Sequence, residues 1–148
     1  EIKGIINDIM VVDDYAHHPT EVSATLQAAR DGWNRRIIAV FQPHLFSRTK
    51  DFYKEFAAAF MDSDVLIITD IYPAREVPIK GINGELVYNS AKSIGHKDVH
   101  YVPNLEDIEL CLDGLVKSND MVITIGAGTI WRYGQSYFDH LKNIEIST

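Results

Sequence analysis

Four short, nearly unbroken aliphatic runs constrain this chain more than any other feature: Ile9 to Val12, Ile37 to Phe41, Val65 to Thr69 and Met121 to Ile125. Rich in Val and Ile, they read as strands. A run without polar alternation has no face to give to water, which suits strands covered on both sides, as in a parallel sheet. A shorter run, Val99 to Val102, fits the same scheme. Between the runs the apolar period becomes helical. Val22, Leu26 and Ala29 share one face, with Gly32 as the stop; Phe52, Phe56 and Phe60 recur at every fourth position; Leu105, Ile108, Leu112 and Leu115 continue the pattern. The segment after Gly126 predicts a last helix through about Leu141. Residues 75 to 97 hold Pro78, Gly81, Gly84 and Gly95, and predict a long loop, a helix near Glu85 to Ser93 and a turn. Strand and helix in alternation specify an α/β layer fold with right-handed crossovers, organised as one domain over residues 1–148.

The charge balance narrows the partners. The chain carries a formal net charge of −7, spread evenly along its length. It has no basic stripe for a phosphate backbone, so nucleic acid is not an expected partner. A small anionic ligand would have to be held by local cations or backbone N–H groups. Cys111 is alone, which excludes an intrachain disulfide and zinc sites built on Cys pairs, and favours a reducing, cytoplasmic setting. No apolar run approaches the roughly 20 residues that span a bilayer, so no membrane association is expected.

Each strong run ends in a polar or glycine-rich segment. These read Asp13-Asp14-Tyr15-Ala16-His17-His18-Pro19, Gln42-Pro43-His44-Leu45-Phe46-Ser47-Arg48-Thr49, Asp70-Ile71-Tyr72-Pro73-Ala74-Arg75-Glu76 and Gly126-Ala127-Gly128-Thr129. In a parallel sheet all four lie at the carboxyl ends of strands, where ligands bind. In the first, Pro19 and Glu21 suit a helix start, but a tyrosine and two histidines in one turn point to ligand contact by His17 or His18. Adjacent histidines point apart and no third ligand lies at metal spacing, so no metal site is expected there. In the second, Ser47 reads as the helix N-cap, which puts Arg48 in the first turn. A cation there opposes the helix dipole unless an anion sits close by, so Arg48 with His44 reads as an anion site. In the third, the Arg75/Glu76 pair of a proline-stiffened turn reads as solvent-facing. The fourth begins like a dinucleotide fingerprint but has Trp131 where the third glycine should stand. It reads better as a tight turn closing the pocket, with Trp131 and Tyr133 packed in the core.

Taken together these four ordered segments strongly resemble the C-terminal domain of the UDP-N-acetylmuramate:L-alanine ligases, a branch of the Mur ligase family. The murein-tripeptide ligases of cell-wall recycling share the Asp-Asp-x-x-His-His-Pro-Thr type of motif, but the resemblance weakens at Gln42-Pro43-His44, which ranks them second; a Rossmann-type nucleotide-binding module is the remaining alternative. The resemblance implies a three-layer, mostly parallel Rossmann-like sheet of about six strands with helices on both faces. It also implies an enzyme that uses ATP and Mg²⁺ to turn the carboxylate of UDP-N-acetylmuramate into an acyl phosphate, which the amine of L-alanine attacks. The chain matches only the third, amino-acid-binding lid domain; nothing in it matches the UDP-binding or central ATPase domain. By this resemblance Asp14 contacts the nucleotide, and Tyr15, His17, His44 and Arg48 line the amino-acid and acyl-phosphate site. The substrate-binding candidates are then Tyr15, His17, His18, His44, Arg48 and Glu76, with His17, His44 and Arg48 as catalytic candidates. Some family members have Arg where this chain has Leu45, so Arg48 would carry the carboxylate contact without that second guanidinium.

Overall fold

The computed structural model describes residues 1–147, with side chains to residue 144. In chain order the elements are β1 (Ile2–Ile6), β2 (Ile9–Asp14), α1 (Pro19–Gly32), β3 (Arg36–Phe41), α2 (Phe46–Ala59), β4 (Val65–Ile68), α3 (Glu85–Ser93), β5 (Val99–Tyr101), α4 (Ile108–Leu115), β6 (Asp120–Ile125) and α5 (Ile130–Ser147). The six strands form one sheet in the order β1-β2-β6-β3-β4-β5. Among the described residues the β1–β2 pair is antiparallel and the other pairs are parallel.

Side chains alternate across the sheet, and that period sorts the apolar runs into two cores. Ile37, Ala39 and Phe41 of β3 pack with Val22 and Leu26 of α1, Phe56 of α2 and Val87 of α3. Ile38 and Val40 face the other way, onto Ile108 and Leu112 of α4 and Ile130, Tyr137 and Leu141 of α5. The expected three-layer α/β architecture is therefore present. Phe56 and Phe60 lie against Phe41 with ring centroids 4.9 and 4.7 Å away, which explains the four-residue aromatic spacing. No helix among the described residues is long and apolar enough to cross a membrane.

Three elements differ from expectation. Strand β1 is not announced by an unbroken run. It is a half-exposed edge strand joined to β2 through Asn7 and Asp8, both at positive φ (52° and 61°), the geometry that Asn and Asp tolerate in a tight hairpin turn. Leu105 lies in a separate 3₁₀ turn, Leu105–Asp107, ahead of α4. Helix α5 runs past Leu141 to Ser147.

At the amino end of the sheet, Arg36 Nε and Nη2 grip the two Asp120 carboxylate oxygens at 3.0 and 2.8 Å. Arg36 Nη2 also donates to Leu115 O at 2.7 Å, and Lys117 N–H donates to Asp120. Asp120 is buried, and this fork with the backbone donor satisfies it.

Candidate functional site

Because β2, β6, β3 and β4 run parallel, their carboxyl ends share one edge, and the four polar segments meet there. The loops after β3 and β4 are tied beyond the sheet by a further bridge between His44 and Tyr72. Leu45 N–H donates to Tyr72 O at 2.9 Å and Tyr72 N–H to Pro43 O at 2.8 Å.

The segment after β2 divides its two histidines as adjacent residues must. His18 is the N-cap of α1: its Nδ1 accepts from Thr20 N–H at 3.3 Å, and its ring packs edge-on against Phe52. Glu21 completes the capping box by accepting from the His17 and His18 N–H groups at 3.2 and 3.0 Å, and the His17 N–H is the main reason its carboxyl titrates below the usual range. His18 thus spends its Nδ1 on the α1 cap. His17 turns the other way. Its Nδ1 lies 3.1 Å from Tyr15 O, and its ring meets those of Tyr15 and His44 edge-on, with centroids 5.8 and 6.1 Å away. Tyr15 is exposed. Asp14 Oδ1 accepts from Ala16 N–H at 2.8 Å. Its side chain borders a mostly apolar cavity of about 340 Å³ that also touches Val12, Thr25, Trp33 and Ile123.

In the second segment the N-cap of α2 is Leu45, not Ser47. The backbone bond from Leu45 to Tyr72 starts the helix early and holds Leu45 at φ 73°, an unusual setting for a non-glycine residue. Leu45 has no side-chain acceptor to cap the helix. Glu76 supplies one from the loop after β4: its carboxylate accepts from Ser47 N–H at 3.1 Å and from Ser47 Oγ. Arg75 is exposed as expected, while Glu76, still partly exposed, is bonded to Ser47, whose hydroxyl, ahead of its N–H, holds the Glu76 carboxyl below the usual range. Arg48 lies in the first turn as expected. Its Nη1 meets His44 Nδ1 at 3.2 Å, while the guanidinium forms no ion pair among the described residues. The His44 ring stacks on Tyr72, centroids 5.8 Å apart at 15°. Burial, then the Arg48 charge, push the His44 pKa below its ordinary value.

Sequence reasoning missed Gln42 and Tyr72. Gln42 is buried at the end of β3; its Oε1 accepts from Thr129 N–H (2.8 Å) and Ile130 N–H (3.0 Å), and its Nε2 donates to Thr129 Oγ1 at 3.1 Å. Two N–H groups at the start of α5 are thereby taken by a side chain rather than left for a pyrophosphate, which counts against the dinucleotide reading of Gly126-Ala127-Gly128. A Cβ on Gly128 would lie 2.5 Å from Tyr72 Cγ and 2.7 Å from Gln42 Oε1, so this glycine serves close packing. Trp131 is exposed beside Arg132, not in the core, whereas Tyr133 does pack against it. The available signal was a polar Gln directly after an apolar strand, which cannot be buried without partners.

A mostly parallel α/β sheet with a cation and imidazoles gathered at its carboxyl edge defines a Rossmann-like domain with a candidate site at that edge. The family described as Mur ligase, glutamate ligase domain matches residues 1–128, and the chain belongs to it. It is 52% identical over 142 residues to a UDP-N-acetylmuramate–L-alanine ligase of Geotalea uraniireducens, covering 96% of this chain and 31% of the relative. A ligase of the same name from Salinibacter ruber is 49% identical over 144 residues, covering 97% and 30%. The chain thus spans about a third of the length of these relatives and corresponds to their C-terminal domain. Among solved structures, a murein peptide ligase from Psychrobacter arcticus superposes with a TM-score of 0.78 at 22% identity, covering 97% of this chain and 29% of that one. That likeness shows the fold.

Proposed function

We propose that this chain is the C-terminal, amino-acid-binding domain of an ATP-dependent ligase that joins L-alanine to UDP-N-acetylmuramate in peptidoglycan precursor synthesis. The observation that carries the reading is Arg48: a guanidinium in the first turn of α2, bonded to His44 and without an ionic partner among the described residues. Relatives near 50% identity that bear the L-alanine ligase name support this substrate over the murein-peptide branch. Such an enzyme would work in the cytoplasm.

The chemistry asks two things of this edge. L-Alanine arrives as a zwitterion, so its carboxylate must be held while its ammonium gives up a proton. Arg48 suits the carboxylate; the His44 imidazole lies beside it, and His17 lies next to His44. Tyr15, exposed next to His17, would cover the bound groups. ATP activates the acceptor carboxylate and Mg²⁺ neutralises its phosphates. This chain offers them no phosphate loop, and the start of α5 is taken by Gln42. By the family resemblance the phosphates and Mg²⁺ would be held by a central domain outside this sequence, with Asp14 the contact this domain makes to the nucleotide. The domain acts as a lid that brings the amine to the acyl phosphate and keeps water away, and alone it does not turn over.

The test is Arg48→Ala in the full-length ligase. Losing a charge-assisted hydrogen bond worth roughly 1.5–3 kcal/mol raises KM for L-alanine about 10- to 100-fold. An unchanged KM, or ligation by the isolated chain, refutes the assignment.

A further inference from the structure

Two histidines meet at this edge, and their partners fix different tautomers. Tyr15 O can only accept, so His17 Nδ1, 3.1 Å away, must carry a proton. The nearby Glu21 carboxylate, 3.6 Å from the same nitrogen, demands the same. A neutral His17 therefore keeps its lone pair on Nε2. For His44 the logic reverses. A guanidinium can only donate, so His44 Nδ1, 3.2 Å from Arg48 Nη1, must present its lone pair, and its proton sits on Nε2. Neither Nε2 is hydrogen-bonded within the described chain.

From these two partners we infer a division of labour: His17 Nε2 is the base that takes the proton from the amino group, and His44 Nε2–H is a hydrogen-bond donor toward anionic oxygen. The inference rests on the ligase reading above. The ammonium gives one proton to His17 Nε2, forming an imidazolium and a neutral amine. The amine lone pair forms the N–C bond at the acyl-phosphate carbonyl, and the carbonyl π electrons move onto oxygen, which His44 Nε2–H can stabilise. Collapse breaks the C–O bond to phosphate. The leaving phosphate takes the second nitrogen proton, and His17 returns the first to solvent. The charged and titratable groups around His17 are Glu21 of α1, Tyr15 and His44; Arg48 and Glu76 act on His44.

The first test needs no turnover. Long-range ¹H–¹⁵N spectra of the imidazoles in this chain, above neutral pH, should show His17 protonated on Nδ1 and His44 on Nε2; the opposite pattern overturns the inference. In the full-length ligase, His17→Asn keeps an Nδ1-like donor but no base. It should lower kcat about 10²- to 10⁴-fold and abolish the acidic limb of the kcat–pH profile. His44→Gln keeps a donor near the Nε2 position, and should lose about tenfold or less while retaining that limb. An acidic limb lost in His44→Gln but kept in His17→Asn overturns the assignment, as does a His17→Asn enzyme with unchanged kcat. If Arg48→Ala leaves KM for L-alanine unchanged while the tautomers are as stated, the ligase reading fails and the tautomer assignment survives.

Discussion

Replacing Gln42 by Leu asks how much one buried amide does for the folded site. The leucine nearly fills the space but offers no acceptor. Thr129 N–H and Ile130 N–H, now bonded at 2.8 and 3.0 Å, then lose their partner, and Thr129 Oγ1 loses a donor. The Ile130 group is fully buried, so water cannot replace the amide there. Loss of a helix cap costs about 1 kcal/mol, and a buried donor left unsatisfied about 1–3 kcal/mol. Together these predict a loss of roughly 2–4 kcal/mol, or about 4–16 °C in Tm for a domain of this size. Gln42→Glu keeps the acceptor oxygens, accepts from the Thr129 hydroxyl and adds a charge favourable to the α5 dipole. It should stay within about 1 kcal/mol of the parent near neutral pH. Urea titration with a common m-value measures both. A Leu variant within 1 kcal/mol of the parent, or a Glu variant as unstable as the Leu one, would show that Gln42 does not cap α5.

Two further outcomes follow from other parts of the fold. Arg36→Met strips the fork from buried Asp120, leaving it the Lys117 N–H, and should destabilise by roughly 3 kcal/mol; a urea-derived loss below 1 kcal/mol contradicts this. His96 is buried and neutral, with Nδ1 accepting from Asp98 N–H at 3.2 Å and Nε2 facing Ser63 Oγ at 3.2 Å; burial pushes its pKa below the ordinary 6.5. From 6.5 down to its lowered folded pKa the unfolded chain binds more protons, so stability is full above about pH 7 and falls as pH drops through 6.5. His96→Asn should flatten the slope between pH 7 and 5, leaving a residue from His44, which is displaced in the same direction. An unchanged slope would remove His96 from the explanation.

The layer architecture was legible because it rests on local periodicity. An unbroken Val/Ile run has no solvent face, and Phe52, Phe56 and Phe60 repeat at the helical interval whatever surrounds them. Strand β1 escaped because it is a half-exposed edge whose signal lies in the Asn7–Asp8 turn rather than in an apolar run. Helix starts were less secure. Ser47 looks like a cap by residue type, yet a backbone bond from Leu45 to a loop 27 positions away moved the boundary, and Glu76 took over the capping.

The sequence by itself determined which groups are chemically active and that they stand at strand ends, since residue type and period are properties of the linear chain. Only the tertiary structure decided which of them meet. Arg48, His44 and His17 converge, His18 caps α1, and Gln42 caps the start of α5. The physical reason is that a donor or acceptor takes its role from its partner. The proton on each histidine follows from a carbonyl in one case and a guanidinium in the other, brought together by a parallel sheet.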